Sequence, residues 1–517
     1  MDAQPLVSRS TAALKCLFND EIISEILNFQ SQEASQEAER HGLLNIALVC
    51  RALEEPAMNE LWRQLDSFTP LLRLLPSVKL IGNSYALCGP LDSAGWGRFD
   101  HYAGRVLYLD LIQPCMHLWL TTSTIAITVE SSLYFHIAKE RTGPFLPRLR
   151  SLTCSPLVPE AVLFLSQSLR SISFDTTISR LALTFLSAAW AKARTLRDLR
   201  ITFEGTSDAS LIIGMIASFR TISQLDLRLN SPLSHYLQVD RILAHRNGLK
   251  HYFISARDQW ENDIQNRSLT AGFSDLESLT VEGGFNFLKA ALARVESEKL
   301  SKLQLILRPI ASSPVSELEW KPMVGFIHTR GWSSLHELFI DFHYTSLAIS
   351  LTTLFESLDH FRSLRRFSIW RYWPITVSDA DIEKIARNCP SLDEITLIAG
   401  KGEDIVAPSI ACLVYLATHC PNLGGLEMSF KSAVSLPFKV PGSFQNNKVL
   451  KVVYIRGMLL SPDAQDKKTL AIARFIDRIF PWVYFVKNLT FADPAWAAVE
   501  LLVKKFQVAR AERELGR

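Results

Sequence analysis

The side chains best suited to chemistry in this sequence are its eight cysteines and twelve histidines. Their spacing suits none of the common reactions. The cysteines stand at 16, 50, 88, 115, 154, 389, 412 and 420. No two have the Cys-x-x-Cys spacing of a redox pair or a zinc knuckle, and no histidines complete a tetrahedral ligand set. His251 and His336 each stand alone, as surface or internally satisfied residues do. There is no phosphate-cradling G-x-x-x-x-G-K-[ST], no G-x-S-x-G nucleophile elbow and no H-E-x-x-H. The glycine pair in "VEGGFNF" (281–287) reads as a turn. Asp379 and Asp381 read as the acidic first turn of a helix with Ser378 as its N-cap. The expectation is a protein that is not an enzyme, with no catalytic residue, no metal and no cofactor.

The elements that carry these residues follow a repeat. The motif apolar-x-x-apolar-x-apolar begins at Leu149, Leu169, Leu196, Ile222, Leu249, Leu276, Leu300, Leu335, Leu364, Leu392, Leu423, Leu450 and Val486, with an earlier member at Val106. From Leu149 onward the start-to-start spacing runs from 20 to 36 residues, often 26–29, which is the leucine-rich-repeat range. The last four residues of each hexad have the period-2 alternation of a short strand. Stretches with helical spacing lie between hexads, such as 180–193 and 408–420. One strand and one helix cannot bury an apolar face alone, whereas stacked copies can. The fold class expected is α/β: a three-helix N-terminal module, then a curved leucine-rich-repeat-like solenoid with a parallel concave sheet. The "CPSLDEITL" and "CPNLGGLEM" segments resemble the cysteine-containing class of these repeats, which makes Cys389 and Cys420 packing residues.

Composition agrees. Apolar residues make up 48 % of 517, charged residues 21 %, and the net charge is +3. A large core is affordable; a nucleic-acid or membrane-surface role is not indicated. The longest apolar runs, such as 211–219, fall far short of a bilayer span. The first residues lack the pattern of a signal peptide, and sparse, irregular cysteines suit a reducing compartment. The expected location is cytoplasmic, nuclear or both, and the sequons at Asn266 and Asn488 are then chance matches. The expected organisation is a disordered segment 1–13, a helical module 14–65, a linker or capping region 66–105, the solenoid 106–495 and a C-terminal helix or cap 496–517. Within 66–105, "CGPLDSAGWGRFDHYAG" reads as a loop.

The module 14–65 departs from the repeat. Asn19 can cap a helix with apolar residues Ile22, Ile23, Ile26 and Leu27. A polar stretch follows, then a helix over 43–52, then one opened by Pro56 at its first position. Some 50 residues in three short helices cannot enclose this much apolar surface, and a patch of this kind marks a docking site or the cap that a solenoid end requires.

The residues Leu17, Glu21, Ile22, Ile26, Leu27, Leu44, Ala47, Leu48, Val49, Cys50, Arg51, Leu61 and Trp62 make this module, about a tenth of the chain, resemble the F-box, most closely that of mushroom-forming fungi. Phe18 stands where the family has proline, and the linker between the first two helices is longer than usual. The resemblance implies a substrate receptor of an SCF-type cullin–RING ubiquitin ligase. Leu17, Ile22, Ile26, Leu27, Leu44, Leu48, Val49, Cys50, Leu61 and Trp62 would bind a Skp-type adaptor, and the solenoid would bind the protein target. The alternative is a scaffold without ligase role, its N-terminal helices acting only as a cap.

A target would meet the strand residues that point away from the core. These are mostly Ser, Thr and charged. His251, Phe253, Phe339, Arg366 and Trp370, with Tyr372 beyond, form an aromatic and basic set of the kind that dominates interfaces; alternatively Phe253 and Phe339 cover each other or a neighbouring loop, and Trp370 packs on Pro374. Arg150, Arg170, Arg197 and Arg200 in early repeats and Asp393, Glu394 and Glu427 in late ones form a charge gradient that either orients a charged partner or is simply a solvated face.

Overall fold

The structure, a computed structural model, describes residues 36–112, 128–203, 209–229, 243–244, 246–256, 272–308, 332–342, 351, 361–370, 377–398, 407–431, 449–456, 467–488 and 494–514. It divides into two compact units, Met1–Ile222 and Ser223–Arg517.

The first unit opens with α1 (Gln36–Val49) and α2 (Arg51–Arg63), followed by β1 (Gln64–Leu65). β1 pairs in parallel with β4 (Tyr108–Ile112), Gln64 opposite Tyr108, so the helical module runs directly into the sheet. Between them a hairpin of β2 (Val78–Ile81) and β3 (Ser84–Leu87) joins β5 (Thr128–Val129) in a small separate sheet. The main sheet continues through β6 (Ser151–Ser155), β7 (Ser171–Thr176) and β8 (Asp198–Phe203), all parallel. Leu152, Ile172 and Leu199 lie opposite one another, as do Cys154, Phe174 and Ile201, and all six are at most 2 % exposed. The alternate residues, Ser151 and Ser171 among them, occupy the open face of the sheet.

The second unit repeats this plan through β9 (Gln224–Leu229), β10 (His251–Ala256), β11 (Ser278–Gly283), β12 (Lys302–Leu307), β13 (Glu337–Phe342), β14 (Arg366–Trp370), β15 (Glu394–Leu397), β16 (Gly425–Ser429), β17 (Val452–Arg456) and β18 (Phe485–Asn488). Every neighbouring pair is parallel. A buried file runs across it from Leu225 through Tyr252, Leu279, Leu303, Leu338, Phe367, Ile395, Leu426 and Val453 to Val486, each at most 4 % exposed. Burying one such side chain is worth about 1.5–3 kcal/mol, so the repeated file is the main apolar support of the sheet. The expected α/β class with a parallel repeat sheet is present in each unit.

Helices connect the strands where the 3.6-residue spacing predicts them. Ser179–Lys192 turns Ala182, Phe185, Leu186 and Ala189 inward. The helix α3 (Asp379–Asn388) begins with a full capping box: Ser378 Oγ accepts from Asp381 N, and the Asp381 carboxylate accepts from Ser378 N. Asp379 then reaches into the next repeat, accepting 2.6 Å hydrogen bonds from both the amide and the hydroxyl of Ser409. Cys389 and Cys420 are fully buried, and the Cys420 thiol points at the carbonyls of Ala386 and Cys389, 3.7 and 3.6 Å away.

Four sequence expectations are corrected. The helix expected over 43–52 is α1, Gln36–Val49: it begins within the polar stretch and ends before Cys50, whose extended backbone separates it from α2. Pro56 does not open a helix; it lies inside α2. The helix starts at Arg51 because the Cys50 carbonyl accepts from both Leu53 and Glu54 amides, with no capping side chain to announce it. The segment read as a loop contains a helix, Ser93–Ala103, whose first turn is closed by Asp92 accepting from Gly95 N at 2.6 Å. Gly95 is a packing requirement: a Cβ there would lie 2.7 Å from Asp92 Oδ1 and 2.8 Å from Pro76 Cδ. Finally, the last repeat is three residues out of the register expected from Val486. Val486 lies opposite Val453, which places Val483, 1 % exposed, in the slot that Leu450 fills one repeat earlier.

Candidate functional sites

The N-terminal pair of helices has two sides with different fates. On the inner side Leu43 (4 % exposed) and Ala47 are buried, and Ile46 with Leu53 and Leu61 of α2 closes around Leu43. The opposite strip of α1 is bare: Leu44, Leu48 and Val49 are 43 %, 76 % and 71 % exposed, and Cys50 is exposed beside them. Leu44 and Leu48 are four residues apart and so share one face of the helix.

α2 is fastened on its far side to the first repeat. The Trp62 ring stacks on Tyr102, centroids 4.5 Å apart and planes at 30°. Arg105, buried against the helix, donates to Glu55 Oε2 and meets His101 Nε2, each at 2.9 Å, and also bonds Asn59. The bond from Arg105 holds the Glu55 carboxyl below its ordinary value, against the opposing effect of burial. On α1 itself, Arg40 pairs with Asp66 just past β1.

Of the residues assigned to adaptor binding, Leu44, Leu48, Val49 and Cys50 thus form one exposed strip. Leu61 and Trp62 lie half-buried between the helices and the first repeat. Leu17, Ile22, Ile26 and Leu27 lie outside the described residues. The fastening residues Tyr102, Asn59 and Arg105 were not singled out from the sequence. An arginine just past a helix end carries no local signature, and its partners stand 46 and 50 positions away.

On the open face of the second unit the candidate target residues fall into two groups. Phe253 lies opposite Asp226 and Thr280, and the Arg228 guanidinium sits 4.7 Å above its ring. Phe339 occupies the same rung three strands further on, past Thr280 and Gln304. At a strand spacing of about 4.8 Å that is roughly 14 Å, so the two phenylalanines do not cover each other. Phe339 instead meets Trp370, centroids 5.9 Å apart. His251 is exposed on the β10 end of the row. Arg366 is engaged, bonded to Glu337 at 3.0 Å and 3.8 Å from Glu394. Tyr372 and Pro374 lie outside the described residues.

Parallel strands in register, a continuous buried leucine-type file and an open polar face define a repeat protein of the leucine-rich type. The chain matches no family model. No curated protein matches it either. Among solved structures it is similar to the complex of Rad7 and Elc1 in yeast, with 13 % identity, 70 % of this chain and 82 % of that chain covered, and a TM-score of 0.36. A likeness of that score fixes neither fold nor function.

Proposed function

We propose that this protein is a substrate receptor of a cullin–RING ubiquitin ligase. The outer strip of α1 docks a Skp-type adaptor, and the open face of the repeats holds the target. The observation that carries the reading is the bare row of Leu44, Leu48 and Val49 on a helix whose other side is already packed. Exposing three large apolar side chains on one short helix is costly in water unless a partner covers them. The F-box-like sequence of the same segment names the kind of partner. Such a receptor needs no chemistry of its own: it raises the effective concentration of a target lysine near a separate conjugating enzyme.

The second reading is a scaffold whose N-terminal helices only cap the repeats. The stacking of Trp62 on Tyr102 and the bonds from Arg105 favour a capping role for α2. They leave the outer strip of α1 unaccounted for. A pull-down of the full chain with purified Skp-type adaptor tests the proposal: retention of the adaptor supports it, and no retention under conditions where a known F-box protein binds hands the function to the scaffold reading.

A further inference from the structure

The first unit carries an array of like charges that stability alone does not explain. Arg150, Arg170 and Arg197 immediately precede β6, β7 and β8. The Arg170 amide donates to the Arg150 carbonyl and the Arg197 amide to the Arg170 carbonyl, each at 2.8 Å. The three therefore stand side by side on adjacent strands, the outer two about 10 Å apart. All three side chains are exposed, and none takes part in an ion pair among the described residues. Arg148 and Arg194, in the turns leading into these strands, are exposed as well.

Like charges on adjacent strands repel, and opposite ones attract. The second unit follows that rule at its strand entries. Lys250 pairs with Glu277 at 2.7 Å, and Lys302 and Arg366 flank Glu337 at 2.9 and 3.0 Å. The first unit has the contrary arrangement: three guanidiniums in a file, each with unused donors fitted to carboxylates. We infer that this arginine file is a docking surface for an acidic protein segment, which supplies the carboxylates the sheet does not. The inference goes beyond the ligase reading and stands whether or not α1 docks an adaptor.

The surroundings favour a short acidic peptide over a nucleic-acid strand. The neighbouring rung holds Ser151, Ser171 and Asp198. Further along the strands lie Asp110, which accepts from Gln64, and Asp175, which accepts from Ser155. Hydroxyls can bond a carboxylate, and the acids repel any anion that runs past the file, which confines the occupant to the roughly 10 Å of the three arginines and so suits a short run of carboxylates rather than a long phosphate backbone. The ring on the adjacent strand, Tyr108 opposite Ser151, already carries the Arg63 guanidinium 5.6 Å from its centroid, and Phe174 is buried on the other side of the sheet, so neither is placed to stack a base.

The test is a fluorescence-anisotropy titration of the full chain with a labelled glutamate-rich peptide, at low and at moderate salt. The variant Arg150→Ser/Arg170→Ser/Arg197→Ser removes the file. The variant Lys299→Ser/Lys302→Ser/Arg366→Ser removes the same charge from paired sites in the second unit. The expected result is salt-sensitive binding that the first variant weakens by about tenfold or more and the second leaves nearly unchanged. The melting temperature of the first variant is expected to be unchanged or raised, which a structural role would not give. The single substitution Arg170→Ser, which disturbs the surface least, is expected to lose a smaller share of the binding. The inference is overturned if the wild type does not bind, if both triple variants weaken binding equally, or if a single-stranded oligonucleotide displaces the peptide with higher affinity and the same dependence on the file.

Discussion

Trp62 of α2 stacks on Tyr102 at 4.5 Å, so the helical module and the first repeat share one aromatic contact. That contact holds α2 in place as an end cap and leaves the far side of α1 uncovered. Removing it with Tyr102→Ala should destabilise the first unit by about 2–4 kcal/mol, counting lost burial and stacking. Chemical denaturation followed by tryptophan fluorescence measures this. A change within error would mean the cap is held by other contacts.

Arg105 is the polar counterpart of that stack. Its side chain is 7 % exposed, and Glu55, its ion-pair partner, is 68 % exposed. The pair itself contributes little, because solvent screens it. The buried guanidinium also serves Asn59 and His101. Arg105→Ala should therefore cost more than Glu55→Ala, by about 1–2 kcal/mol. Equal losses would place the value in the ion pair instead.

The acid side of the stability profile follows from three carboxylates. Hydrogen bonds from Arg105, Lys299 and Lys250 hold Glu55, Asp275 and Glu277 below their ordinary values. A depressed carboxylate contributes stability that is complete above its unfolded pKa and is lost as pH falls through the folded one. The loss should therefore start below the ordinary glutamate value of 4.5. All three groups are screened, so the loss should be shallow and shrink further with salt. Thermal melts across the acid range, at two salt concentrations, check both features.

The buried thiols should be inert. Burial pushes Cys154 and Cys420 up to about 12 and Cys412 well above its ordinary value. Cys50 and Cys88 are exposed. Brief alkylation at mild pH, read by peptide mass spectrometry, should label Cys50 and Cys88 and spare Cys154, Cys389, Cys412 and Cys420 until the protein is unfolded. Because Cys50 belongs to the exposed strip beside α1, bound adaptor should slow its labelling and leave Cys88 unaffected.

Ser378→Ala removes one arm of the capping box on α3 and should cost about 1 kcal/mol. Asp379→Ala breaks both bonds to Ser409 and should cost somewhat more, because it unties two successive repeats. Urea titrations of the two variants give the comparison.

Much of the fold was legible because period-2 strands repeat. Leu152, Ile172 and Leu199 fell where the hexad placed them, and so did the Ser378 cap. Failures came where a tertiary contact overrides a local signal. Gly95 marks a loop by propensity, yet the structure uses it to let Asp92 and Pro76 approach the chain within a helix. Pro56 marks a helix start, yet the start lies at Cys50, which has no capping side chain. At the candidate site, exposure of Leu44 and Leu48 followed from the excess of apolar residues in the module. The removal of Leu61 and Trp62 toward the first repeat did not, since Tyr102 lies forty positions beyond Trp62 in the chain.

The most direct test of the central claim is a binding titration of purified Skp-type adaptor against three full-length proteins: wild type, Leu44→Asp/Leu48→Asp and Tyr102→Ala. Both leucines are exposed, so the double variant should keep its circular dichroism spectrum. The account predicts that wild type and Tyr102→Ala bind, while the folded double variant loses binding by about a hundredfold or more, as when charges enter the centre of an apolar interface. Equal binding by the folded double variant, or no binding by wild type, would contradict it.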